Sequence, residues 1–201
     1  MAMDLMSQFK ASIAKVKTAG VNKSADFDVM YGTGFLSIDY LNGTVVHVNS
    51  EERCFTYNSV GIVDGSANSI IGRSGSGKST LTTQIVGNIV RPFIKQRLPT
   101  GLYIDDIEGS LPFVRKEFLL GLTSEEIDKY VDIRNSGITT ENLYKRIQAL
   151  HDIKIENKKD YMYDTKCYDT NGKRIFKLVP TVYVIDSLPM LLPESLVEDD
   201  E

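Results

Sequence analysis

The spacing of apolar residues near the start of the chain predicts a helix followed by a linker. Residues 4–18 carry apolar side chains three or four positions apart with lysines between them, which is typical of an amphipathic helix. Residues 20–28 indicate a linker. We expect residues 1–30 to form an N-terminal segment that packs either on its own domain or on a neighbouring subunit. The apolar positions of the helix are Leu5, Phe9, Ile13 and Val16.

After residue 31 the pattern changes to strands and then to an alternation of strands and helices. A turn and short helix over 33–41 end at Asn42-Gly43, and alternating apolar and polar residues over 44–66 predict strands joined by turns. Short apolar runs then alternate with helical periodicity. The predicted strands are 68–71, 102–104, 130–133 and 182–185, and the predicted helices are 77–90, 111–120, a short one capped by Thr123 and Glu126, and 140–151.

This alternation predicts an α/β fold whose mostly parallel sheet is covered by helices on both faces. The helix over 77–90 is expected to end before Pro92, and the helix over 140–151 to turn Leu143, Ile147 and Leu150 inward. Residues 161–178 predict a β-hairpin that turns at 169–173, because Asn-Gly favours a tight hairpin turn. We interpret residues 31–201 as one domain with this hairpin inserted near 156–179.

Residues 72–80 contain the pattern of a phosphate-binding loop, Gly-x-x-x-x-Gly-Lys-Ser. Glycines let the backbone curl so that successive N–H groups point at phosphate oxygens, and the following helix adds the positive end of its dipole. Lys78 offers a charge to the β- and γ-phosphates of ATP, Ser79 a hydroxyl to Mg²⁺, and Thr80 a contact to the α-phosphate. The predicted ATP-binding residues are Gly72, Arg73, Ser74, Gly75, Ser76, Gly77, Lys78, Ser79 and Thr80.

Acidic residues at two strand ends are predicted to complete the ATP site. Asp186 follows four consecutive apolar residues, so a buried strand would deliver its carboxylate to the edge of the sheet where it can hold Mg²⁺ together with Ser79. Hydrolysis also requires a group that activates water. Glu108 is the candidate catalytic base, with Asp106 as the alternative, and Lys78 is the second predicted catalytic residue.

Composition narrows the classes of partner. The net charge is −4 and the pI is about 5.3, whereas a chain that binds nucleic acid through phosphate contacts alone usually has a basic excess. No apolar run reaches the roughly 18 residues of a membrane span, and the N-terminal residues lack the apolar core of a secretory signal. The two distant cysteines indicate reduced thiols. We therefore expect a cytoplasmic protein.

Four segments, taken in order, resemble the ATPase core of RecA-type recombinases, especially their phage branch. Residues 32–39 are similar to the threonine–glycine segment of the family, 72–84 to its Walker A motif and helix, 103–109 to its strand and catalytic glutamate, and 184–194 to Walker B and the proline-containing stretch after it. The resemblance implies a P-loop NTPase that acts as a DNA-dependent ATPase of homologous recombination and DNA repair. It also implies self-association into a filament on single-stranded DNA.

The sequence departs from that family in two places. The glutamate of the family normally lies two residues after the strand's aspartate, where this chain has Ile107, and Glu108 is one position further on. The family core also continues beyond Walker B, so the resemblance implies an N-terminal part truncated after the Asp186 strand, with DNA contacts beyond residue 201. We expect ATP binding with weak or no hydrolysis. The alternatives are another RecA-fold motor, such as a replicative helicase, and a non-catalytic nucleotide-binding module.

Overall fold

A computed structural model describes residues 29–42, 44–50, 53–59, 61–109, 115–168 and 172–197. The helix predicted over 4–18 and the linker predicted over 20–28 lie outside these residues. The same is true of residues 111–114 in the helix predicted over 111–120, and of residues 169–171 in the predicted hairpin turn.

Strands and helices alternate through most of the described chain. The strands are β1 (Met30–Tyr31), β2 (Thr44–Ser50), β3 (Arg53–Ser59), β4 (Ile62–Val63), β5 (Gly101–Asp106), β6 (Val131–Arg134), β7 (Met162–Tyr168), β8 (Arg174–Leu178) and β9 (Thr181–Asp186). The helices are α1 (Leu36–Asn42), α2 (Lys78–Lys95), α3 (Lys116–Leu120), α4 (Ser124–Tyr130), α5 (Thr140–Glu156), α6 (Lys158–Tyr161) and α7 (Glu194–Val197), with a 3₁₀ turn over Leu188–Met190.

A parallel three-stranded sheet in the order β6-β5-β9 lies at the centre of the fold. Leu102 of β5 is paired with Val131 of β6 on one side and with Val182 of β9 on the other. Helices α3 and α4 connect β5 to β6, which is the long crossover that parallel neighbours require. The predicted α/β architecture with a parallel sheet is confirmed.

Helix α2 packs against one face of this sheet. Its side chains form a buried apolar cluster with alternate residues of β5 and with the end of α3, and full burial of one such side chain contributes about 1.5–3 kcal/mol. Gly87 lets α3 approach, because a methyl group added there would lie 2.6 Å from the Leu120 carbonyl oxygen. The buried cluster consists of Val86, Val90, Ile94, Leu102, Ile104, Leu120 and Leu122.

Helix α5 contacts the opposite face. Because side chains alternate along a strand, Asp105 points away from the face that carries Ile104. Arg146 of α5 forms an ion pair with Asp105 at 2.7 Å, and Lys154, two turns further along α5, donates to the Val179 carbonyl oxygen at 2.6 Å. Arg146 therefore attaches α5 to the sheet and Lys154 attaches it to the segment just before β9, whereas α2 uses apolar contacts.

Two antiparallel hairpins accompany the central sheet. Strands β2 and β3 pair with each other from Thr44 opposite Ser59 to Ser50 opposite Arg53. Strands β7 and β8 form the hairpin predicted over 161–178, which is confirmed. The second hairpin rests on α2, since the Tyr163 ring meets the Phe93 ring edge-on with centroids 5.1 Å apart.

The strand predicted over 68–71 is wrong. These residues have no regular secondary structure, and no described strand pairs with them. Ile71 is 91% exposed and Ile70 is 40% exposed. The physical reason is that only two of the four residues are apolar, so the segment gains little by burying itself as a strand. Among the described strands, β9 at the edge of the sheet pairs with β5 and not with this segment.

Two helix predictions also need correction. Helix α2 does not end before Pro92 but continues to Lys95, because Phe93 and Ile94 are buried while Pro92 itself is exposed. Helix α5 extends to Glu156, and its predicted inward face is only partly buried: Leu143 is buried, whereas Ile147 is 44% exposed.

The predicted capping box is confirmed, with the Thr123 hydroxyl accepting from the Glu126 N–H group and the Glu126 carboxylate accepting from the Thr123 N–H group.

Candidate functional site

The glycine loop lies at the carboxyl edge of the parallel sheet. Helix α2 packs against β5 and β9, and residues 96–100 return the chain from its C-terminal end to the first residue of β5. Helix α2 therefore runs antiparallel to β5, and its N-terminal end points toward the edge where β5 and β9 finish. Carboxyl edges of parallel strands are where open α/β sheets bind ligands.

The loop itself is tightly curled and open to solvent. Gly75 and Gly77 have φ values of 72° and 85°, a region that favours glycine, and residues 72–77 are all exposed. A methyl group added at Gly72 would lie 3.0 Å from the Ser76 hydroxyl oxygen. The first helical hydrogen bond joins the Leu81 N–H group to the Gly77 carbonyl at 2.9 Å, so the preceding N–H groups at the helix start have no intrahelical acceptor.

Lys78 is the first residue of α2 and folds back over the loop. Its Nζ donates to the Arg73 carbonyl oxygen at 3.1 Å, which holds the ammonium group beside the curled backbone. Ser79 is half-buried and Thr80 is exposed, while the Ser79 carbonyl accepts from the Thr83 hydroxyl at 2.7 Å. One cation and two hydroxyl-bearing residues are thus collected at a helix N-terminus, a position that favours anions.

Two carboxylate residues stand opposite each other at the same edge. Asp106 and Asp186 are direct partners in the β5–β9 ladder, and both end their strands. Alternation along β5 places Asp106 on the face that carries Leu102 and Ile104, which is the face covered by α2. Asp106 is only 3% exposed, whereas Asp186 is half-buried. The pair therefore lies on the same face and edge as the start of α2.

The turn after β5 is attached to the end of β9. The Asp186 carbonyl accepts from the N–H groups of Ile107 and Glu108 at 2.6 and 3.2 Å, and the Ser187 hydroxyl donates to the Glu108 carboxylate at 2.8 Å. The Asp186–Ser187 peptide bond is cis. Glu108 is exposed and lies beside Asp186, so the structure brings these two predicted site residues together.

Two cationic side chains from different helices lie near the aspartates at the end of β5: Lys116 of α3 near Asp106 and Arg146 of α5 near Asp105. Burial lowers the pKa of the Lys116 ammonium, and the nearby Asp106 carboxylate acts on that pKa in the opposite direction.

Arg146 and the Tyr183 hydroxyl both donate hydrogen bonds to the Asp105 carboxylate at 2.7 Å. Burial, followed by that hydrogen bond, raises the pKa of Tyr183. Asp105 thus takes part in a structural network, whereas Asp106, Glu108 and Asp186 lie together at the carboxyl edge of β5 and β9.

The segment before the glycine loop is packed against α2. Asp39 accepts from both the N–H and the hydroxyl of Thr33 at 2.7 Å, and Asn88 of α2 donates to the Thr33 carbonyl at 2.7 Å. Gly34 has a φ of 79°, and a side chain there would collide with Asn88. Residues 32–39 therefore form a fixed support for the helix that follows the loop.

Sequence reasoning missed the partners of the predicted site. Ser187 holds Glu108, and Lys116 faces Asp106, but neither residue type had a sequence signal beyond its place near an acidic residue. Arg146 is separated from Asp105 by 41 positions, so their pairing was visible only in three dimensions.

The chemistry of these donors fits Mg²⁺ and a phosphate chain. The Ser79 hydroxyl and the Asp186 carboxylate are hard oxygen ligands, the kind that Mg²⁺ binds when phosphate oxygens and water complete its shell. Within the described residues no group of three or more His, Cys, Asp or Glu side chains is arranged to hold a metal ion by itself.

Comparisons with family models, with curated proteins and with solved structures find no match to this chain. Among the helices that the structure describes, none has the length and apolar character needed to cross a membrane.

Proposed function

We propose that this chain binds ATP with Mg²⁺ through residues 72–80 and belongs to a RecA-type ATPase of DNA recombination and repair. The observation that supports the proposal best is the location of the glycine loop and α2 on the same face and edge of the parallel sheet as Asp106 and Asp186. Chance sequence similarity to a phosphate-binding loop has no reason to coincide with a pair of carboxylates at the adjacent strand ends.

Each residue then has a distinct task. The N–H groups of the curled loop over residues 72–77 would bind phosphate oxygens, and the Lys78 ammonium would exchange its bond to the Arg73 carbonyl for the β- and γ-phosphates. Ser79 and Asp186 hold Mg²⁺, which neutralises charge on the phosphates. Glu108 orients the attacking water from its position beside Asp186.

The recombination part of the proposal depends on the resemblance of four ordered segments. One of them, residues 32–39, packs on the Walker A helix through Asn88, as expected of segments that belong to one functional unit. Single-stranded DNA and further copies of the protein are the proposed partners. The whole protein would form a filament on DNA and release it after ATP hydrolysis.

A non-hydrolysing nucleotide-binding module is the second candidate function. The Glu108 carboxylate is engaged by Ser187, and Glu108 lies one position beyond the place of the family glutamate. Catalytic geometry tolerates errors of only a fraction of an ångström to about one ångström, so this displacement favours binding without efficient hydrolysis.

The deciding experiment for the binding site is calorimetric titration of Lys78→Ala with ATP and Mg²⁺. Loss of a charged hydrogen-bond donor costs about 1.5–3 kcal/mol, so we expect the affinity to fall by about tenfold or more. Lys95→Ala is the matched control, because Lys95 is an exposed lysine at the other end of the same helix. Unchanged ATP affinity in a folded Lys78→Ala protein would refute the proposed site.

A further inference from the structure

A concave site lies at the amino edge of the central sheet, opposite the glycine loop. A cavity of about 430 Å³ opens between the segment after α2, the first residues of β5 and β9, and the C-terminal half of α5. Helix α2 has 18 residues and therefore separates the two ends by about 27 Å. We call this cavity the basal pocket. Its volume falls within the range of small-molecule sites, about 300–1,000 Å³.

The lining of the basal pocket is positively charged although the chain as a whole is acidic. Arg97, Lys129 and Lys154 line it, and among the described residues that do so there is no aspartate or glutamate, while the net charge of the protein is −4. The carboxylate that acts on Lys154 is Asp64, which is engaged elsewhere with Lys177 at 3.7 Å and the Tyr31 hydroxyl at 3.2 Å. The pocket therefore presents a local excess of positive charge.

Apolar and aromatic side chains form the rest of the wall. The Lys129 ammonium lies 5.0 Å from the centre of the Tyr130 ring, and the Lys154 ammonium lies 5.9 Å from the centre of the Tyr161 ring. Contacts of this kind hold each ammonium near the wall without neutralising it. The aliphatic part of the wall consists of Leu98, Pro99, Leu150 and Ile153.

We propose that the basal pocket binds a small phosphate monoester that carries an aromatic or aliphatic body. A phosphate monoester brings a charge of about −1.5 to −2 at neutral pH, which suits three surrounding cations better than a single carboxylate would. Its organic body is matched by the aliphatic wall and the tyrosine rings. This site is separate from the glycine loop and does not depend on the function proposed for that loop.

The environment of Lys154 agrees with this assignment. Burial lowers the pKa of its ammonium to about 8, and the Asp64 carboxylate offsets only part of that effect. Its ammonium carries three N–H groups, one of which donates to the Val179 carbonyl oxygen at 2.6 Å. A phosphate dianion would bring negative charge and further acceptor oxygens to this ammonium.

The test is a titration of the complete ¹⁵N-labelled chain with phenyl phosphate, followed by amide shifts. We expect saturable shifts at Thr100, Gly101 and Thr181, which line the pocket, separate from any shifts in residues 72–77. Benzyl alcohol, with the ring but no charge, should not produce them, and inorganic phosphate should bind at least tenfold more weakly. Lys154→Met should weaken phenyl phosphate binding by about tenfold, whereas Lys158→Met, an exposed lysine outside the pocket, should leave it unchanged.

Several outcomes would overturn the proposal. Shifts confined to residues 72–77, equal binding of benzyl alcohol, or equal binding of inorganic phosphate would each do so. If Lys154→Met does not fold, Lys129→Met replaces it, because Lys129 is exposed and can lose its charge without burying a new group. Unchanged phenyl phosphate binding in the folded variant would also contradict a basic anion pocket.

Discussion

The Ser187 hydroxyl donates a hydrogen bond to the Glu108 carboxylate across 2.8 Å. Ser187 directly follows Asp186, whose carbonyl oxygen accepts from the N–H groups of Ile107 and Glu108. The end of β9 therefore positions the turn after β5. Although Glu108 lies one residue beyond the place expected for a family glutamate, the segment that carries the proposed Mg²⁺ ligand also orients it.

Glu108→Gln tests whether this carboxylate activates water. We expect phosphate release in a single turnover to fall at least about tenfold, because a general base contributes about 10²–10⁴-fold, while ATP affinity stays the same. Glu125→Gln is the control, since Glu125 is an exposed glutamate in the first turn of α4. If Glu108→Gln keeps the parental rate and Asp106→Asn loses it, Asp106 is the base.

Asp186→Asn tests the proposed metal ligand. The substitution removes the charge beside Mg²⁺ but keeps the side-chain shape and the backbone carbonyl that holds residues 107 and 108. We expect ATP affinity in Mg²⁺ to fall about tenfold or more and affinity in EDTA to change little. Asp128→Asn, at an exposed position of α4, should change neither value. Equal losses with and without Mg²⁺ would mean that Asp186 has a structural role.

The sequence predicted the parts of the fold that have strong local signals. The apolar run ending at Asp186, the alternating helices and the Asn-Gly hairpin correspond to β9, α2, α5 and the β7–β8 pair. The segment 68–71 failed because an apolar dipeptide does not specify a strand without a partner to pair with. Strand formation depends on neighbours that sequence spacing does not show.

The candidate site was predictable to a similar extent. The glycine loop and Asp186 carry motifs, so their places were expected, and Glu108 was chosen from its neighbours in the sequence. The direct pairing of Asp106 with Asp186 depends on the register of β5 and β9, which are 75 or more residues apart in the chain. The hydrogen bond from Ser187 depends on the same register, whereas the ion pair between Arg146 and Asp105 depends on how α5 packs on the sheet, so neither could be inferred.

Arg146→Met should destabilise the protein strongly. The Asp105 side chain is 2% exposed, and its Oδ2 atom bonds to both Arg146 and the Tyr183 hydroxyl. Without Arg146 the buried carboxylate would keep the Tyr183 hydrogen bond but lose the positive charge that compensates it. Breaking such a buried pair generally costs about 3 kcal/mol or more. We expect a loss of that size in the free energy of unfolding when it is measured by urea denaturation. Arg134→Met is the matched control, because its pair with Asp132 is nearly half exposed and contributes about 0–1 kcal/mol. Similar losses in both variants would contradict a special role for Asp105.

Lys154 should give stability a characteristic pH dependence. Burial lowers the pKa of its ammonium from 10.5 in the unfolded chain to about 8 in the folded chain. Between these values the unfolded state binds more protons, so the contribution of Lys154 to stability is unfavourable below pH 8 and improves as the pH rises toward 10.5. We expect the free energy of unfolding to rise by about 1–2 kcal/mol over this pH range because of Lys154, after allowance for solvent screening.

The measurement is the difference in unfolding free energy between Lys154→Met and the parent protein from pH 7 to 9.5. Groups common to both proteins cancel, including Lys116, whose lowered pKa acts in the same direction, and Tyr31 and Tyr183, whose raised pKa values act at higher pH. The variant should lose stability relative to the parent as the pH rises. Parallel curves would show that the Lys154 ammonium carries no burial penalty.

The final prediction is that residues 1–201 bind ATP but hydrolyse it slowly, and that single-stranded DNA does not accelerate hydrolysis. The net charge of −4 provides little general attraction for nucleic acid phosphates. The displaced Glu108 adds a reason for slow chemistry, because a misplacement of about one ångström costs about a hundredfold in rate. Phosphate release at saturating ATP should be compared with and without single-stranded DNA at low and moderate salt, on a monodisperse sample. A stimulation of tenfold or more would mean that these residues contain a DNA site, and the strongest effect at low salt would identify it as a set of phosphate contacts.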